Sequence, residues 1–212
     1  MQVMLLAAGR GTSLDELGRQ IETLAREGAE LVVLNAHNPS QQIVEFVEGR
    51  EHPCRVEVVV EPELLGNAGG LRGALSHFER HMPVAVLDSD TLVDVPLHRI
   101  VDEHIQSGDA GTICATWQQD TAGKAVLMVD MAGNVLGIDH KPSGLVSAGV
   151  YVLDRELAAL IPPGVFFDLE RDLFPMVQDL ELGLRVEQLV GSMAAPAPHW
   201  LYAAPRDAAA AE

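Results

Sequence analysis

Asp88-Ser89-Asp90 stands at the end of the apolar run VAVLD, Val84 to Asp88. Two carboxylates one residue apart can hold Mg²⁺, a hard cation that takes carboxylate oxygens together with substrate phosphates. The plainer use of such a pair is a turn or a helix cap. A second candidate is Ala8-Gly9-Arg10-Gly11-Thr12, between an apolar run and an amphipathic one. Glycines there let consecutive backbone N–H groups point at an anion beside a helix N-terminus, with Arg10 as a cation in the cradle. Such a turn can also serve only to join a strand to a helix. His77 and His81 have the i, i+4 spacing of helical metal ligands, but no third ligand is in view, and a solvent-facing pair is expected. Glu45 with Glu48, Glu61 with Glu63, and Glu170 with Asp172 read as ordinary acidic surface, Arg72 as a solvated charge, and Trp117 and Trp200 as core or rim packing.

The elements that must position these groups follow from periodicity. Ser13 with Glu16 forms a capping box, and Leu14, Leu17, Ile21 and Leu24 recur at helical spacing up to Gly28, a natural stop. LVVLNA, from Leu31, and RVEVVV, from Arg55, are strand-type runs, with Asn38 and Pro39 opening a helix between them. A helix over Gly70 to Phe78, the strand VAVLD and a helix over Leu97 to Ser107 continue the alternation. This order predicts a Rossmann-like α/β fold, with a mainly parallel sheet covered by helices on both faces and ligands beyond the carboxyl ends of the strands. From Thr112 the runs TICATW, AVLMVD, VLGID and GLVSAGVYVLD predict antiparallel additions at one edge. Helical segments near Asp154 to Ile161 and Asp168 to Val177 and short strands then lead into a frayed alanine-rich tail, 205–212. One domain is expected, in two halves, 1–110 and 111–204, the second of which would cover the ligand.

Composition narrows the function classes. Of 212 residues, 48% are hydrophobic, enough for one substantial core. The formal net charge of −17 repels the backbone of nucleic acid and anionic membranes, so neither is an expected partner. No long apolar run or signal-peptide pattern is visible, which predicts a cytoplasmic protein. Cys54 and Cys114 lack metal-ligand spacing and are expected to act as small hydrophobes.

Several stretches together carry a family resemblance. LLAAGRGT, LLGNAGGL (Leu64 to Leu71), VLDSDTLVDV (Val86 to Val95), GIDHKPSG (Gly137 to Gly144), SAGVYVLD (Ser147 to Asp154) and FFDLERDLFP (Phe166 to Pro175) occur in the same order as in sugar-1-phosphate nucleotidylyltransferases. The chain resembles most the small members that make GDP-heptose, UDP-muramic acid or GDP-mannose type products. The resemblance implies the nucleotide-diphospho-sugar transferase fold. It also implies Mg²⁺-dependent transfer of a nucleotidyl group from an NTP to a sugar 1-phosphate, with release of pyrophosphate. Carried over by position, it assigns Ala8, Gly9, Gly11, Thr12, Gly66, Asn67, Ala68 and Gly69 to the nucleotide, and Asp90, with or without Asp88, to the metal. Arg10 and Lys141 then serve as catalytic cations, and His140, Ser147 and Gly149 face the sugar.

The sequence also departs from that family's pattern. Ser13 follows Thr12 directly, where family members insert a loop with a Lys-Pro pair, and the chain's only lysines are Lys124 and Lys141. Aligned on Pro205, Leu201 stands where a second metal aspartate is usual, His140 replaces a glutamate and Ser147 an asparagine. Such losses predict impaired turnover. They leave open a second reading, in which the chain binds a nucleotide or nucleotide sugar without catalysis and acts as a homodimer or with an active partner subunit.

Overall fold

The computed structural model describes residues 1–9, 13–37, 40–89, 96–122 and 124–189. At its centre is a sheet whose main path runs β3 (Arg55–Val60), β2 (Leu31–Ala36), β1 (Gln2–Leu6), β4 (Val84–Asp88), β8 (Gly144–Leu153), β5 (Gly111–Gln118), β9 (Leu184–Gln188). Six of these seven strands point the same way, and β8 alone runs against them, pairing antiparallel with both β4 and β5. A hairpin of β6 (Val126–Val129) and β7 (Val135–Asp139) hangs from β8 through the pairing of Leu127 with Leu145. The parallel strands β1, β2 and β4 are buried along their whole length, as continuous apolar runs require when both faces are covered.

Alternate side chains of β1 feed two cores. Val3 and Leu5 pack with Leu17, Ile21 and Leu24 of α1 (Leu14–Arg26), Phe46 of α2 (Ser40–Glu48), and Leu97 and Ile100 of α4 (Leu97–Ser107). Met4 and Leu6 face Leu71 and Ala74 of α3 (Gly66–Ala74), Leu157 of α5 (Arg155–Leu160), and Phe174 and Val177 of α6 (Phe174–Asp179). Leu17, Ile21 and Leu24 are buried to within 1% of completely, and burial of such a side chain stabilises by roughly 1.5 to 3 kcal/mol. Among the described residues no helix is long and apolar enough to cross a membrane.

The structure departs from the sequence expectations at several points. The third helix begins at Gly66 rather than Gly70 and gives way to a 3₁₀ turn over Leu75–His77. His77 and His81 therefore do not share a helical face: His81 lies beyond that turn at φ 67°, and His77 Nδ1 pairs with the Glu57 carboxylate. Ser13 precedes α1 as expected, but its side chain makes no capping bond, and its carbonyl accepts the Leu17 N–H at 2.9 Å. The segment after Phe167 opens with a wide π-type turn over Leu169–Leu173 before α6. The antiparallel element is an interior strand, β8, as well as an edge addition.

Candidate functional site

Strands β1, β2, β3 and β4 all end on the same side of the sheet, and each delivers a polar group there. Asp88, 6% exposed, closes β4, and the following Ser89 N–H donates to the Leu6 carbonyl at 3.1 Å. Gln20 of α1 donates through Nε2 to the Ser89 carbonyl at 2.5 Å, so the Asp88-Ser89 step is held between β1 and α1. Asp90, Arg10, Gly11 and Thr12 lie outside the described residues. Ala7, Ala8 and Gly9 leave β1, and the Ala7 N–H donates to Asn35 Oδ1 of β2 at 2.8 Å. Asn35 Nδ2 in turn donates to Glu61 Oε1 at 2.7 Å, and Glu61 Oε2 accepts the Leu65 N–H at 3.3 Å. Glu61 was expected at the surface; it is 5% exposed, and burial pushes its carboxyl above the ordinary range.

The glycines of GNAGG serve close packing. Gly66 sits at φ 74°, in the left-handed region that side chains disfavour, and a Cβ there would lie 2.6 Å from the Phe167 carbonyl oxygen. A Cβ on Gly69 would stand 2.7 Å from the Val165 carbonyl oxygen, and one on Gly70 would stand 2.6 Å from both Asn35 Nδ2 and Glu61 Oε1. The segment 165–169 lies against the start of α3: the N–H groups of Ala68 and Gly69 both donate to the Phe167 carbonyl at 3.1 Å, and Phe167 N–H returns a bond to Leu65. Asn67 Oδ1 accepts from Ala68 and from Leu169, each at 2.8 Å, while its buried Nδ2 has no hydrogen-bond partner among the described residues. Two of the first four N–H groups of α3 are thus satisfied by the chain itself.

Across the β4–β8 junction a second network forms. Val150 pairs with Leu87 of β4 and with Cys114 of β5, but Ala115 pairs with Ser147, so Ala148 and Gly149 bulge out of β8 next to the end of β4. Gly149 takes φ 72°, a conformation that glycine adopts without penalty. Its N–H donates to Ser147 Oγ at 3.2 Å; that hydroxyl donates to the Tyr151 hydroxyl at 2.9 Å, which donates to Glu170 Oε1 at 3.0 Å. Burial, then the neighbouring Asp168 charge, raises the Glu170 carboxyl. Burial also drives Tyr151 well above its ordinary value, with the charges of Glu170 and Asp88 adding to it. Asp168 caps the π-type turn, accepting from Glu170 and Arg171 at 2.9 Å.

The remaining candidates lie elsewhere. His140 and Lys141 sit on the exposed connection from β7 to β8, with Lys141 Nζ 3.7 Å from Asp139 Oδ2 and the Lys141 carbonyl accepting from Thr121 Oγ1 at 2.5 Å. Arg72, expected as a solvated charge, donates through Nε to the Ile161 carbonyl at 2.9 Å and ties α3 to the end of α5. Trp117 is 60% exposed and so lies outside the core, and Cys114 is fully buried, as a small hydrophobe would be. Trp200 and Leu201 fall outside the described residues. Among the described residues no cluster of three or more metal-type side chains occurs.

This architecture has known relatives. The family model for nucleotidyl transferases matches residues 18–164. The chain belongs to the nucleotidyl transferase family. UTP--glucose-1-phosphate uridylyltransferase of Synechocystis is 26% identical to it, over 84% of this chain and 55% of that protein. The mannose-1-phosphate guanyltransferase of Kluyveromyces lactis is 33% identical, over 74% of this chain and 46% of that protein. The chain spans about half the length of these curated relatives. Among solved structures, HddC from Yersinia pseudotuberculosis complexed with GMP-PN superposes with a TM-score of 0.74 at 20% identity, covering 89% of this chain and 90% of that one. A putative glucose-1-phosphate thymidylyltransferase from Bacillus anthracis superposes with a TM-score of 0.76 at 15% identity, covering 90% and 87%. These two likenesses fix the fold.

For this nucleotidyl transferase family member, the matched span begins inside α1 and ends before Val165. The glycine-rich stretch after β1 therefore stands on its sequence pattern, and the 165–173 segment on its geometry. Sequence reading missed Asn35, Glu61, Tyr151 and Glu170 as members of the site's framework. The one available signal was a polar residue inside or next to an apolar run, Asn35 in LVVLNA and Glu61 directly after RVEVVV, where a burial cost has to be offset by a partner.

Proposed function

We propose that this chain transfers a nucleotidyl group from an NTP to a sugar 1-phosphate, releasing pyrophosphate and forming an NDP-sugar. The observation that carries the reading is Asp88. It is a buried carboxylate at the carboxyl end of the central strand, beside the β8 bulge of Ala148 and Gly149 on one side and the exit of β1 on the other. An open α/β sheet binds its ligand in that position. Family membership and sugar-1-phosphate nucleotidyltransferase relatives support the same reaction.

In the reaction a sugar-phosphate oxygen bonds to the α-phosphorus of the NTP as the α–β phosphoanhydride bond breaks. Little covalent work falls to the protein; it must orient two anions and offset their charge. The N–H groups of Ala8, Gly9, Gly11 and Thr12 would face the triphosphate, with Arg10 adding a fixed charge. Gly66, Asn67, Ala68 and Gly69 would border the base. The Ala68 and Gly69 N–H groups are already bonded to Phe167, whereas the buried Asn67 Nδ2, without a hydrogen-bond partner among the described residues, is a donor there with capacity to spare. His140, Ser147 and Gly149 would line the sugar side, and Lys141 would meet the sugar phosphate as a point charge.

Asp88 with Asp90 fits Mg²⁺ by donor chemistry, since both offer hard carboxylate oxygens beside a phosphate path. The bound ion would offset the negative charge of the phosphates. The proposed setting is the cytoplasm, with a homodimer or a catalytic partner as the proposed assembly. A second reading, binding without turnover, draws on the start of α1 at Leu14 directly after Ser13 and on the scarcity of lysine, only Lys124 and Lys141.

The test is NDP-sugar formation from GTP or UTP with mannose, glucose and heptose 1-phosphates in Mg²⁺, for the wild type, Asp90→Ala and Lys141→Ala. Turnover that falls roughly 100-fold to 1000-fold in each variant supports the assignment. Turnover retained in Asp90→Ala overturns the metal role. Calorimetric binding of GDP- or UDP-sugar with no turnover overturns the catalytic reading in favour of the second.

A further inference from the structure

We propose that Asn35 and Glu61 act as a positioning brace for the nucleotide cleft, fixing the separation between Ala7, where the chain leaves β1, and the segment that opens α3. The proposal rests on the nucleotide-binding reading of that cleft. Its basis is a single buried path: Ala7 N–H to Asn35 Oδ1 at 2.8 Å, Asn35 Nδ2 to Glu61 Oε1 at 2.7 Å, and Leu65 N–H to Glu61 Oε2 at 3.3 Å. Asn35 is 2% and Glu61 5% exposed. The path links the ends of β1, β2 and β3 to the residue before α3, and its two termini are backbone amides that flank the proposed ligand.

Packing alone does not account for these residue types. A buried carboxylate is costly to desolvate, and two apolar side chains of similar size would fill the same space without that cost. Among the described residues Glu61 makes no ion pair with Lys or Arg; the imidazole of His37 is near it, its Nδ1 2.9 Å from the Glu61 carbonyl oxygen. Both carboxylate oxygens are instead spent on N–H donors from separate elements. A carboxylate can accept from two directions at once, which an amide oxygen with its adjoining NH₂ cannot reproduce. Gly70 completes the fit, because a Cβ there would touch both Asn35 Nδ2 and Glu61 Oε1 at 2.6 Å. The brace thus specifies a glycine in the first turns of α3.

Holding both walls of a cleft before the ligand arrives removes an ordering cost from binding. Asn35 and Glu61 contact no reacting atom, so they act through Ala7 and Leu65. Loss of either should weaken nucleotide affinity and raise KM while changing kcat much less. Glu61→Gln, which keeps one acceptor and turns an NH₂ against the second donor, should fall between wild type and Glu61→Ala.

The experiment has two arms on the full chain: amide hydrogen exchange without ligand, and calorimetric titration with GTP and with UTP in Mg²⁺. The variants are Asn35→Ala, Glu61→Ala, Glu61→Gln and Gly70→Ala, the last pressing a methyl onto the pair without removing a polar atom. The expected result is cross-protection. Glu61→Ala speeds exchange at Ala7, which Glu61 does not touch, and Asn35→Ala speeds it at Leu65, while the β2 amides of Val32 to Leu34 stay protected and so report an intact fold. Nucleotide affinity falls about tenfold in both alanine variants and less in Glu61→Gln.

Exchange changes confined to each residue's own partner overturn the brace, as does unchanged affinity in the alanine variants of a wild type that binds. A wild type that binds neither nucleotide overturns the functional reading instead, and the exchange arm still decides whether the two amides are mechanically coupled.

Discussion

The Tyr151 hydroxyl donates to Glu170 Oε1 at 3.0 Å, which joins the interior antiparallel strand β8 to the turn preceding α6. Both groups are raised by burial, Glu170 further by Asp168, and Tyr151 further by the Glu170 and Asp88 charges. A carboxyl whose folded pKa is raised stabilises the folded state fully below its unfolded value and loses that contribution as pH rises through the folded value. Unfolding free energy from urea titrations should therefore carry a declining component from about pH 4.5 upward. Glu170→Gln should remove part of that decline, and an unchanged pH profile would show that Glu170 ionises as freely folded as unfolded.

Gly69 and Gly73 lie on one helix and should respond oppositely to alanine. A Cβ on Gly69 meets the Val165 carbonyl at 2.7 Å and Leu65 Cβ at 2.8 Å, whereas one on Gly73 meets nothing within 4 Å. Gly69→Ala should cost about 1 to 3 kcal/mol through overpacking. Gly73→Ala should gain about 0.5 to 1 kcal/mol by restricting the unfolded chain and favouring the helix. Denaturant midpoints of the two variants check the contrast; a common sign would show that the 165–169 segment yields to the methyl.

Asn67 holds that same segment. Asn67→Ala strips the acceptor from the buried Leu169 N–H, while Ala68 N–H retains the Phe167 carbonyl. A loss of about 1 to 3 kcal/mol is expected for one orphaned buried donor. Exchange should rise at Leu169 and change little at Ala68.

Arg155 closes the other end of α3. Its Nη2 donates to the Leu75 carbonyl at 3.0 Å and its Nε to the Phe78 carbonyl at 3.2 Å, on either side of the 3₁₀ turn. Arg155→Lys keeps the charge but not the fork, so it should recover only part of the roughly 2 kcal/mol lost in Arg155→Ala. An Arg155→Lys thermal midpoint equal to that of the wild type would show that the fork adds nothing beyond charge.

The sequence by itself determined the alternation that builds the sheet. LVVLNA and VAVLD are continuous apolar runs because both faces of β2 and β4 are covered, and Leu17, Ile21 and Leu24 mark the buried stripe of α1 because a helix hides only one side. It also set Asp88 at a strand end, where such sheets bind ligands. What it could not yield was any feature that depends on a partner far along the chain. Glu61 and Glu170 read as surface because a carboxylate announces its cost of burial but not the Asn35 amide or Tyr151 hydroxyl that offsets it. The start of α3 read four residues late because glycines depress helix propensity locally, whereas the Phe167 carbonyl, a hundred residues away, accepts two of the first N–H groups of the helix. Side-chain periodicity is a short-range property and strand insertion is not. Only the tertiary structure decided that β8 enters the sheet between β4 and β5, and that its bulge at Gly149 stands beside Asp88.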